Sequence, residues 1–232
     1  MNQSRKYQRS ANRLPVGARI LEAATLTDTT LVAARLSAFT AVHRRFEEAQ
    51  AVVSEVQQRA DAITTRIAAA EAAHDAAVED LVYALLADRK PRRNAFSDYG
   101  DESPSGLRHR GPADKVSATA ALVAAVAADP DVSAQSRKAA DALRAASQEL
   151  AALLEPLGPV EAELRRARAA RDAIADEWDD AVGALRRGAR VAADEGATNL
   201  YSILFGSIGR TRTRPKRNTE TTAAPGDDQA AA

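Results

Sequence analysis

From Phe39 to Ala84, core-type positions recur at alternating steps of three and four: Phe39, Val42, Phe46, Ala49, Val53, Val56, Ala60, Ile63, Ile67, Ala70, His74, Ala77, Leu81 and Ala84. All are apolar except His74. The segment that carries them, Asp28 to Lys90, contains neither proline nor glycine. This spacing specifies a helix with a narrow buried seam, and a seven-residue period held over about six heptads specifies a left-handed coiled coil. At 1.5 Å per residue such a rod would be about 90 Å long. Thr27 or Asp28 is placed to cap its start, and Pro91 to end it.

A second seam runs through Ala139, Leu143, Ala146, Leu150, Leu153, Leu157, Val160, Leu164, Ala167, Arg171, Ile174, Trp178, Ala181 and Leu185. It crosses Pro156-Leu157-Gly158-Pro159, a combination that ordinarily makes a turn because each proline lacks an amide donor and collides with the preceding turn. A chain reversal has no reason to preserve the seam's phase. The preserved phase therefore predicts one long helix over about 131–195, kinked at 156–159; a hairpin there is the competing reading.

The two long segments resemble each other. Leu21–Asp28 lies over Leu122–Asp129 at an offset of 101 residues, Arg66–Leu85 lies over Arg166–Leu185 at an offset of 100, and the aromatic box 94–100 resembles 199–206. Their common order predicts a tandem duplication, each half a short helix followed by a long one. The expected layout is a flexible basic arm at 1–17 and a first helical repeat at 18–100, its long helix at about 28–90. A loop at 101–112, a second helical repeat at 113–206 and a disordered basic, then polar, tail at 207–232 follow. The connector is too short to run comfortably back along a rod of that length, which favours an antiparallel arrangement. The fold class predicted is all-α, an elongated antiparallel helical coiled coil or bundle built from two tandem related halves.

Composition refines this picture. The chain has 232 residues, 45% hydrophobic but only 4% aromatic, and alanine supplies much of the apolar content. Alanine forms helices well and buries little surface, so stability must come from many small contacts along an extended surface. The 32 basic residues balance the 32 acidic ones, so no global field selects nucleic acid or membrane. Cysteine is absent, which removes disulfides and thiolate chemistry and fits a reducing, cytoplasmic setting. No apolar run reaches the eighteen or more residues of a transmembrane segment, and Pro15 follows the N-terminal basic residues with no signal-peptide core between them.

Candidate chemistry is sparse. Glu71-Ala-Ala-His74 has the Glu-x-x-His spacing of di-iron carboxylate bundles, but its duplicate position is Ile174, so the seam histidine is expected to be structural and no metal or cofactor is assigned. Asp176, Glu177, Asp179 and Asp180 surround Trp178 as a candidate docking patch for a cation or basic partner. His43 and His109 have no companions at triad spacing, and no catalytic residue is assigned. The basic clusters are more informative. Arg5, Lys6, Arg9 and Arg13 near the start, and Arg210, Arg212, Arg214, Lys216 and Arg217 near the end, are candidate contacts to phosphates or another anionic surface, with Arg186, Arg187 and Arg190 as a collar. Arg89, Lys90, Arg92 and Arg93 form a smaller cluster at a helix C-terminus. Leu200, Tyr201, Leu204 and Phe205 are candidate partner-binding residues, but the matching box at 94–100 favours the competing reading, in which the segment folds back over the end of the bundle.

These features point to a non-catalytic coiled-coil scaffold, spacer or assembly subunit. Its small seam residues predict self-association, most simply as a dimer, or association with another protein. The alternative is a nucleic-acid-binding or nucleoid-associated protein that uses its Arg-rich termini.

Overall fold

In the computed structural model the backbone is described for residues 3–206 and the side chains for 12–206. Helix α1 spans Gln3–Ala24, a 3-10 turn covers Thr30–Val32, and α2 spans Ala33–Ala87. They are followed by α3 (Pro104–His109), α4 (Pro112–Ala128), α5 (Ala134–Leu154), α6 (Leu157–Asp194) and α7 (Leu200–Phe205). The fold is all-α, with no strand among the described residues.

The seam read from the sequence is the buried face of α2. Phe39, Phe46, Val53, Ala60, Ile67, His74 and Leu81, one per heptad, are all buried, and Val56, Ala70 and Ala84 bury the second position. In the first heptad the buried partner is His43 rather than the expected Val42, which is half-buried.

The chain divides into two compact units, residues 44–177 on one hand and residues 1–43 with 178–232 on the other. Neither coincides with a sequence half. Within 44–177, Val53 and Val56 share a cluster with Leu164, Ile67 and Ala70 with Leu150 and Leu153, and Leu81 with Ala139 and Leu143. Val123, Val126, Phe96 and Leu107 complete the last of these clusters, so α4, α3 and the 94–100 turn cover the end of α2. Lys90 Nζ and the Tyr99 hydroxyl both donate to Asp129, at 2.8 and 2.9 Å, and tie that turn to the end of α4. Hydrogen bonds from Lys90, the Asp131 N–H and Tyr99 hold the Asp129 carboxyl down at about 2. In the other unit, Ile20, Val32 and Phe39 are buried together with Trp178, Val182, Leu185, Ala189, Leu200, Leu204 and Phe205.

The segment at 155–156 is a kink. Glu155 keeps helical dihedrals (φ −56°, ψ −49°) and donates to the Ala151 carbonyl, and the helical ladder resumes when Val160 donates to the Pro156 carbonyl. Pro156, Gly158 and Pro159 face solvent, while Leu153 and Leu164 on either side are buried. Prolines tolerated on the outer face bend the helix without reversing it.

Several expectations are corrected. The segment 1–17, read as a flexible arm, is helical from Gln3, and α1 runs through Pro15 to Ala24. Pro15 lies on the exposed side, and Gly17 and Ile20 on the buried side, so packing outweighs the two breakers. Gly17 serves close approach: a Cβ there would overlap the His43 imidazole. The loop at 101–112 contains α3, whose start is fixed by Ser103, its Oγ accepting from the Gly106 N–H at 2.9 Å, with Pro104 at the first helical position. The expected long helices also lose their outermost residues. Asp28 does not cap α2 but accepts from Thr30 in the preceding turn, and α5 begins behind the cap residue Ser133. The tail expected at 207–232 lies outside the described residues.

Gly17→Ala should destabilise the protein by roughly 1–2 kcal/mol in chemical denaturation, despite the higher helix propensity of alanine, because the His43 ring it meets is boxed in by Phe39 and Trp178. Arg89 closes α2 in the left-handed region (φ 64°), with the Lys90 N–H returning to the Leu85 carbonyl. Glycine is the residue suited to that position, so Arg89→Gly should raise stability by about 0.5–1 kcal/mol, read as a higher denaturation midpoint.

Candidate functional site

The polar residues on the seams are the groups whose chemistry the fold has to accommodate. His74 is wholly buried on α2, and its Nε2 stands 2.8 Å from the Thr119 hydroxyl on α4. Its Nδ1 lies 3.5 Å from an Asp75 carboxylate oxygen. Lys115, one turn before Thr119 on the same face of α4 and almost completely buried, donates to Asp75 at 2.8 Å and stands 3.6 Å from Glu71. Nε2 is thus the ring nitrogen that is hydrogen-bonded, while the buried Nδ1 has no hydrogen-bond partner among the described residues. Burial pushes the His74 pKa below its ordinary value, partly countered by the Asp75 carboxylate.

Glu71 and His74, whose spacing is that of a metal-binding pair, are thus engaged with Lys115 and Thr119. The hydrophobic patterning of the sequence does not single out Lys115 or Thr119. The available signal is their i, i+4 spacing within a stretch otherwise rich in alanine and valine, which places a cation and a hydroxyl on one helical face.

A second polar centre forms around Trp178 on α6. Its indole N–H donates to His43 Nδ1 at 3.1 Å, and Phe39 stacks on the His43 ring with centroids 5.6 Å apart. The Arg13 guanidinium lies over the indole, 5.9 Å from its centroid, and grips Asp179 through two hydrogen bonds of 3.2 and 2.6 Å. Beside these residues is a surface groove of about 300 Å³ lined by Asn12, Arg13, Val16, Trp178 and Asp179. Of the acidic run around Trp178, Asp179 is therefore held by Arg13 and Glu177 by Arg45, at 2.8 Å, while Asp176 and Asp180 face solvent.

The seam also buries Arg171, which donates to Asp172 on its own helix and to Gln50 of α2 at 3.1 Å. Arg168 donates to Gln57 at 2.5 Å and Arg59 pairs with Glu163 at 2.6 Å. These contacts straddle the short apolar cluster of Val53, Val56 and Leu164.

Of the candidate anion contacts, Arg13 is engaged as described. Residues 5, 6 and 9 lie within α1, and the side chains of Arg5, Lys6 and Arg9, like residues 210–217, fall outside what is described. Arg186 and Arg190 of the expected collar lie over Phe205 and Tyr201, at 5.1 and 4.9 Å from the ring centroids. Among the candidate partner-binding residues, Leu200, Leu204 and Phe205 are buried, and Tyr201 accepts from Arg190 at 3.1 Å. The corresponding box at 94–100 is likewise folded inward through Ala95 and Phe96.

Because the folded state disfavours the His74 imidazolium, the unfolded chain binds a proton at higher pH than the folded one. The contribution of this group to stability is therefore fully present above about pH 6.5 and declines as pH falls below it. His74→Gln, which keeps a polar group opposite Thr119, should flatten the dependence of the urea midpoint between about pH 7 and pH 5. A variant with the wild-type slope would contradict this assignment.

No protein-family model, no curated protein and no solved structure matches this chain.

Proposed function

We propose that this chain is a non-catalytic helical scaffold, spacer or assembly subunit that works by self-association, most simply as a dimer. The observation that carries the scaffold reading is α2 itself: 55 residues of unbroken helix whose buried residues keep a seven-residue period. That seam is covered by the chain's own helices, so self-association has to use another face. Along that helix His43, Gln50, Gln57 and His74 each meet a polar partner from another element. Imidazole, guanidinium and carboxylate groups that would serve a reaction elsewhere hold helices in register here.

Two finer features belong to this proposal. Antiparallel pairing of the long helices is supported within 44–177 by contacts in which each step up α2 is matched by a similar step down its partner: Arg45 with Glu177, Gln50 with Arg171, Arg59 with Glu163, and Leu81 with Ala139. Duplication is supported by the recurrence of a short helix before each long segment and an inward-folded aromatic box after it. We place the protein in the cytoplasm on its cysteine-free composition, and no described helix is long and apolar enough to cross a membrane. The competing reading, a nucleic-acid-binding protein gripping phosphates through its termini, loses one contact because Arg13 is paired with Asp179.

Sedimentation equilibrium on the full chain at micromolar concentration should give twice the mass of one chain, and a single-chain mass across the accessible concentration range would overturn the proposal.

A further inference from the structure

The end of α2 and the start of α5 leave a groove between them. It holds about 510 Å³ and is lined by the alanines Ala84, Ala87, Ala139 and Ala142, with Tyr83 standing at its edge. Tyr83 is 70% exposed, whereas Leu81 and Leu85 beside it on α2 are wholly buried. A tyrosine ring exposed beside an apolar hollow offers a partner a rigid, amphipathic contact.

The charges at the groove are as informative as its floor. Asp80 lies on the α2 wall and Lys138 on the α5 wall. Both are exposed, and neither has an ion pair or hydrogen bond among the described residues. Their neighbours do. Glu79 is held by Arg108, Arg137 donates to the carbonyls of Asp129 and Pro130, and Asp141 pairs with Arg144. An unpaired acid on one wall and an unpaired base on the other make the groove self-complementary. A two-fold axis passing over it brings Asp80 of each copy to Lys138 of the other.

We propose that this groove is the self-association surface of the protein and that its occupant is the same face of a second copy. Each Tyr83 enters the alanine hollow of the other copy, and two Asp80–Lys138 pairs close the rim. The alanine floor lets the helices approach closely, and the tyrosine supplies the rigid aromatic contact that an interface otherwise poor in large side chains needs. This inference rests on the self-association reading and adds its location.

The test is sedimentation of the full chain over a concentration series, with circular dichroism to confirm that each variant keeps the helical content of the wild type. Tyr83→Ser and Ala142→Arg, both at solvent-facing positions, should each weaken the dimer by at least about tenfold. Asp80→Lys and Lys138→Asp should each weaken it, and the double variant D80K/K138D should recover most of the loss, because the exchanged charges meet again across the axis. A wild-type dimer unaffected by Tyr83→Ser and Ala142→Arg would remove this surface while leaving self-association standing. A double swap no tighter than either single variant would remove the charge pairing and with it the two-fold arrangement. A wild-type monomer at all concentrations would overturn both the surface and the reading beneath it.

Discussion

Burial along a stripe only about two residues per heptad wide is the constraint on which the rest of this structure depends. On α2 that stripe is built from Phe, Val, Ile and Leu but also from Ala60, Ala70 and Ala84, so each turn removes little apolar surface from water. A helix held in this way gains stability from length, since the ordering cost of each residue has to be offset locally. The large side chains are concentrated where further elements cover the seam. Phe39 and Trp178 lie in one unit, and Leu81, Leu85, Phe96, Leu107 and Leu143 lie at the covered end of the other. Between such places, the cluster at Val53, Val56 and Leu164 is small and flanked by arginine, glutamine and glutamate.

A uniform small-residue stripe is weakly specific, because sliding one helix by a heptad would exchange one alanine or valine for another. The buried polar groups remove that ambiguity. His74 has Thr119 opposite it and Trp178 has His43, and a displaced register would leave these donors and acceptors buried without partners, at about 1–3 kcal/mol each. The logic is that of a buried asparagine in a coiled coil, which gives up some stability to select one alignment. Gly17 belongs to the same device, since only a residue without a side chain lets α1 come so close to the His43 ring. Lys115 adds charge to it, as a nearly buried ammonium that needs the Asp75 carboxylate at 2.8 Å.

Most of the architecture was legible in the sequence because helical periodicity is a repeated signal. The α2 seam, the continuity of the second seam across Pro156 and Pro159, and the inward folding of both aromatic boxes follow from spacing or composition. Single-residue features were harder to weigh. Pro15 and Gly17 read as breakers, yet one faces solvent and the other lies against a ring, a distinction that depends on tertiary structure. Ser103-Pro104 carried a helix-start signal that the glycines and charges around it obscured. Of the polar groups, His74 was visible as an interruption of the seam, but its partner Thr119 is 45 residues away, Lys115 is 40 residues from the Asp75 it pairs with, and no local pattern joins them. Arg13 read as one of a terminal cluster of cations because its partner Asp179 is 166 residues distant.

The central claim is that burial in heptad phase, not the general helix-forming character of an alanine-rich chain, holds this protein together. An aspartate scan through Val53, Ser54, Val56, Gln58 and Ala60, with thermal unfolding followed by circular dichroism, tests it most directly. The account predicts large losses at Val53, Val56 and Ala60, which are buried, and small ones at the exposed Ser54 and Gln58. A flat profile, with aspartate tolerated equally at all five positions, would contradict it.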